Sequence, residues 1–93
     1  MAPDPRHFLL LYRYVPDILE RRGPFRGEHL ELVRRWKDDG RILLAGALGD
    51  PPHGAAFAFT VDAPADVDEF VASDPYVAAG LVEDRRVEPW NVV

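Results

Sequence analysis

The chain has 93 residues, enough for one hydrophobic core and too few for two, and 47% hydrophobic with 29% charged residues is a globular rather than a disordered composition. A formal net charge of -5, from 11 Lys and Arg against 16 Asp and Glu, argues against a nucleic-acid binder, which needs a basic footprint. The absence of cysteine excludes a disulfide framework, a thiolate nucleophile and a sulfur-ligated metal.

Residues 1–6 are short, polar and carry Pro3 and Pro5, unlike a secretion signal, and read as a flexible segment ahead of one domain over 7–93. The longest apolar run, 8–11, is far below a membrane span, so no membrane partner and a cytoplasmic location are expected. Residues 7–14 are aromatic and aliphatic and too short for a helix; they read as a strand with Phe8, Leu10, Tyr12 and Tyr14 on one face. His7, Leu9, Leu11 and Arg13 take the other face, so both sides of this strand carry apolar residues. Residues 15–23 read as a linker with room for one helical turn.

Pro24 suits the first position of a helix and Gly40 its end, with acids early and Arg34, Arg35 and Lys37 late. At 100° per residue Phe25, His29, Leu32, Val33 and Trp36 form one stripe, with His29 at its centre. Strands follow over 42–48 and 55–61, and the turn-rich residues 49–54 between them read as a hairpin loop. In the third strand Phe57, Phe59 and Val61 share one face and the small Ala56, Ala58 and Thr60 the other. Asp62 reads as the cap of a second helix that runs to Ser73, where Pro75 stops it; Val67, Phe70 and Val71 form its buried stripe and Asp74 follows in phase. Residues 81–92 hold a last strand.

Strand, helix, strand, strand, helix, strand is the order of the ferredoxin-like βαββαβ fold: class α+β, a four-stranded antiparallel sheet with two helices on one face. Its connectivity starts the first helix and ends the second at one rim, which brings His29 and Asp74 together and places the loop holding Asp50 and His53 nearby. A lone His on an apolar helix face is more often a core residue, and Asp before Pro is a common helix end. Their convergence is what points to chemistry, because a carboxylate holding one imidazole nitrogen makes the ring a general base. Arg26, one turn before His29, could steer an anionic substrate, and the hydroxyls of Tyr76 and Tyr12 could line a pocket. His7, His29 and His53 lack close ligand spacing and there is no Gly-rich phosphate loop, so neither metal nor cofactor is expected. Leu9, Leu11, Leu43, Ala45, Ala47, Ala56 and Ala58 would cover the open sheet face, an apolar area expected to pair two copies into a homodimer.

The stretches Arg26-Gly27-Glu28-His29-Leu30, Ala45-Gly46 and Ser73-Asp74-Pro75-Tyr76, with Ala79-Gly80-Leu81 and Val87-Glu88-Pro89-Trp90 after them, resemble the YciI-like, or YCII-related, family. The likeness runs from Phe8 to the C-terminus, and Asp-Pro-Tyr followed by Ala-Gly-Leu is its most specific part. Ala47 departs from it, standing after Gly46 where the family often has Pro. The resemblance implies a dimeric α+β barrel and a proposed catalytic His and Asp, matching His29 and Asp74; one branch of the family dehydrochlorinates a chlorinated hydroxyhydroquinone. The expected function is therefore a cofactor-independent, lyase-like or dehydrochlorinase-like enzyme acting on a small molecule through a His-Asp pair. The alternative is a non-catalytic metabolite-binding or accessory dimeric protein.

Overall fold

A computed structural model describes residues 6–93; residues 1–5, most of the expected flexible segment, lie outside the described part. The elements in chain order are β1 (His7–Tyr14), α1 (Ile18–Arg21), α2 (Gly23–Asp38), β2 (Ile42–Leu48), β3 (Gly54–Thr60), α3 (Pro64–Ser73), α4 (Pro75–Ala78) and β4 (Val82–Pro89). The four strands form one antiparallel sheet in the order β2-β3-β1-β4, the ferredoxin-like arrangement expected from element order.

The alternation in β1 and β3 is as the sequence implies. Phe8, Leu10, Tyr12 and Tyr14 are buried, and Phe57 and Phe59 join them from the neighbouring strand. Against this face α2 buries His29, Leu32 and Trp36, and α3 buries Val67, Phe70 and Val71. The rings of Trp36, Phe59, Phe57 and Phe70 meet edge-on or tilted at 5.3–5.8 Å, the spacing at which aromatic pairs attract beyond simple burial.

Three local features depart from the sequence reading. The cap of α3 is Ala63 rather than Asp62, because the Asp66 carboxylate accepts from Ala63 N at 3.1 Å and closes the first turn from within. Short helix α4 follows α3 where no element was expected, and the linker over 15–23 holds the one helical turn it had room for, α1; single turns lie below the length at which periodicity is visible.

The third departure is a bulge in β2. The register slips between Ile42, opposite Phe59, and Leu44, opposite Ala58. One extra residue reverses the alternation that follows. Ala45 and Ala47 lie opposite Phe57 and Ala55 on the helix side, whereas Leu44, Gly46 and Leu48 lie opposite Ala58, Ala56 and Gly54 on the open side. The assignment of Ala45 and Ala47 to the open face is thereby corrected. That face still carries Leu9, Leu11, Ala56 and Ala58, with Leu44 71% exposed and Leu43 beside the bulge.

Candidate active site

Pro75 creates the site from the backbone outward. It lacks the N–H that would continue α3 and forces the preceding residue out of helical geometry, so Asp74 adopts an extended conformation (φ -79, ψ 117). The same residue caps α4: Asp74 Oδ1 accepts from Tyr76 N at 3.0 Å. Asp-Pro-Tyr thus ends one helix, starts the next and turns a carboxylate into the core.

That carboxylate has two further donors. His29 Nδ1 lies 2.8 Å from Oδ1, and Tyr12 Oη donates to Oδ2 at 2.9 Å. The Asp74 side chain is 0% exposed and that of His29 7%. A carboxylate acceptor places the proton on Nδ1, which leaves the Nε2 lone pair free. The imidazole also stacks on Tyr76, with ring centres 3.9 Å apart and planes within 4°. The ring is therefore fixed at one edge by Asp74 and on one face by Tyr76.

His29 and Tyr76 line a cavity of about 150 Å³ together with Tyr14, Arg22, Arg26, Leu30, Val33, Gly46, Ala45, Ala47, Ala55 and Phe57. Burial pushes the Tyr12 hydroxyl well above its ordinary range, reinforced by the Asp74 charge and hydrogen bond. Burial does the same to Tyr14, with Tyr76 and Asp74 adding to it. Tyr76 is raised by burial too, opposed by Arg22 and Arg26.

Of the residues singled out from sequence, His29, Asp74, Tyr76 and Arg26 come together here. Tyr12 does not line the cavity; it lies behind Asp74, because its hydroxyl is committed to Oδ2 in the core. Its expected place in substrate binding is replaced by a place behind the carboxylate. Tyr14 and Arg22 do line the cavity and were not anticipated. Tyr14 was legible in principle, two residues beyond Tyr12 on the same face; Arg22 sat in the linker whose conformation stayed open.

Asp50 and His53 are exposed and outside the cavity lining, although the loop meets the end of β1 through Tyr14 N donating to His53 O at 2.8 Å. A larger groove of about 720 Å³, at the start of β1, is lined by His7, Arg6 and Trp90 and contains neither His29 nor Asp74. Among the described residues no group of three or more His, Cys, Asp or Glu could hold a metal ion. No helix among them is long and apolar enough to cross a membrane.

Comparison with known proteins is consistent with this architecture. Protein YciI of Escherichia coli O6:H1 is 35% identical over 86 residues, covering 83% of this chain and 88% of that protein. An uncharacterized protein of Haemophilus influenzae is 31% identical over 96 residues, 94% of this chain and 98% of its own length. Among solved structures, 5-chloro-2-hydroxyhydroquinone dehydrochlorinase from Burkholderia phenoliruptrix AC1100, in complex with 2,5-dihydroxybenzoquinone, matches with a TM-score of 0.80 at 24% identity, over 94% of this chain and 95% of that one. An antibiotic biosynthesis monooxygenase matches with a TM-score of 0.57 at 15% identity, over 95% of this chain and 98% of that one. At such identities the likeness is one of fold. The profile of the YCII-related domain matches residues 7–91, and the chain belongs to that family.

Proposed function

We propose that the protein is a cofactor-independent enzyme of lyase type acting on a small molecule, with His29 as general base and Asp74 as the group that orients it. The observation carrying this reading is a buried His29 Nδ1 to Asp74 Oδ1 contact of 2.8 Å whose imidazole borders a cavity. A pair that served only to tie α2 to α4 would need no such opening beside it.

In an elimination, Nε2 takes a proton from the substrate and the electron pair left behind becomes a new double bond. The leaving anion departs from the adjacent carbon with its own bonding pair. Asp74 stabilises the imidazolium so formed, which then releases its proton to water. The dehydrochlorinase of similar fold supports this reaction class. The apolar open sheet face supports a homodimer, and composition supports a cytoplasmic location.

The test is halide release from a panel of chlorinated hydroxyhydroquinones and related small acids, with wild type and His29→Ala. Turnover is expected to fall by a factor on the order of 100 or more in the variant, as when a general base is removed. A folded variant that keeps full turnover overturns the assignment. Loss of ligand affinity with no reaction in either protein favours the metabolite-binding alternative.

A further inference from the structure

The reading of this cavity as the substrate site leaves the chemical class of the substrate open. Arg22, Arg26, His29 and Leu30, and Val33 beyond them, follow the three- and four-residue spacing that places side chains on one helix face, and all of them line the cavity. We infer that this cavity takes a small organic anion of one ring or less, its acidic group bound by the guanidinium groups of Arg22 and Arg26 and its apolar body by the alanine wall.

Charge supports this first. The lining holds two arginines and no carboxylate, and the nearby Asp74 is sealed beneath His29, already accepting from three donors. Among the described residues Arg22 and Arg26, like Arg6, Arg35 and Arg85, have no acidic partner within 4.0 Å, and of these five only Arg22 and Arg26 line the cavity. Both also oppose the effect of burial on the Tyr76 hydroxyl, and both line the cavity with that residue. In a protein of net charge -5 an anion is not drawn in by the overall field, and a local pair of cations supplies the attraction.

Size and polarity narrow the class. About 150 Å³ is the volume of a cavity that holds one benzene ring. Ala45, Ala47, Ala55 and Phe57 offer a wall without hydrogen-bonding side chains, suited to a ring or short hydrocarbon and unsuited to a sugar or nucleotide. A carboxylate or acidic enol on such a body meets the arginines at one end, and the body lies against the wall.

The test measures binding, independently of turnover, with benzoate and its uncharged counterpart benzamide. Amide chemical shifts are followed in the wild type, Arg22→Gln and Arg26→Gln. Benzoate is expected to shift amides within residues 22–33 and 45–47, and benzamide to bind at least about tenfold more weakly. Each Gln variant should weaken benzoate by about tenfold and leave benzamide unchanged. Equal affinities, no benzoate binding, shifts confined to another part of the molecule, or folded Gln variants that bind benzoate normally would each overturn the inference. If a variant does not fold, the comparison of the two probes on wild type decides alone. Anion binding without any reaction sinks the enzymatic proposal and leaves this one standing; His29-dependent turnover with indifference to charge does the reverse.

Discussion

Asp74 receives three hydrogen bonds, and each donor comes from a different element: Tyr12 from β1, His29 from α2 and the Tyr76 amide from α4. A buried carboxylate left unpaired would be costly, so this arrangement holds only while all three elements are docked. The tyrosines give a pH test of that docking. Tyr12, Tyr14 and Tyr76 are the three tyrosines of the chain, and burial raises all of them above the ordinary tyrosine value of about 10. Above the pH at which free tyrosine ionises, the unfolded chain has lost phenolic protons that the folded chain retains, so stability falls as pH rises. The tyrosines' contribution to stability is fully present below about pH 10 and is lost progressively above it. Ultraviolet absorbance should show every tyrosine ionising above the ordinary midpoint, with Tyr12 and Tyr14 ionising only as the far-ultraviolet circular dichroism signal is lost. Ionisation of any tyrosine at its ordinary pKa in the folded protein would contradict this. His29 and Asp74 were legible in the sequence because both lie in phase with helix stripes whose ends the fold brings together. The third partner was not: nothing in the alternation of β1 distinguishes a hydroxyl bound to Asp74 from one facing a ligand.

Gly80 shows how element ends hold the site in place. It follows α4 with φ 74, its amide donates to Val77 O at 3.1 Å and that of Leu81 donates to Tyr76 O at 3.0 Å. This pair of bonds is a Schellman ending, and it directs Leu81, 1% exposed, into the core. Residues with a Cβ adopt this conformation at a cost. Gly80→Ala should therefore lower stability by about 1–2 kcal/mol in urea unfolding, with an unchanged slope. A neutral result would mean that the turn relaxes without loss. The long helices and the strands were legible because their patterns repeat over several turns or alternations. Single-turn α4 and the one-residue bulge in β2 were not, and α1 stayed open, since each depends on tertiary pairing rather than on a repeating local pattern.

At the scale of the whole molecule, one side of the sheet is closed by helices and the other is not. Leu44 is 71% exposed, Leu43 54% and Trp90 45%, and together with Leu9, Leu11 and the small Ala56 and Ala58 they mark the surface proposed to pair two copies. Leu44→Asp places a charge there without touching the His29 side of the sheet. The variant should sediment as a monomer where wild type sediments as a dimer, with its circular dichroism spectrum unchanged. A monomeric wild type, or a variant that stays dimeric, would refute this pairing. The fold class was legible because element order alone selects the ferredoxin-like arrangement, but the detailed content of the open face depended on register.

The bulge in β2 also determines how much room the cavity has. Uninterrupted alternation from buried Ile42 would carry Leu44, Gly46 and Leu48 to the helix side, with two leucine side chains directed at the space beside His29 and Tyr76. The slip sends those leucines outward and brings Ala45 and Ala47 inward. A single residue outside the cavity thus exchanges bulk between the two sides of one strand. The space left for a ligand is set by backbone phase as much as by any side chain that touches it.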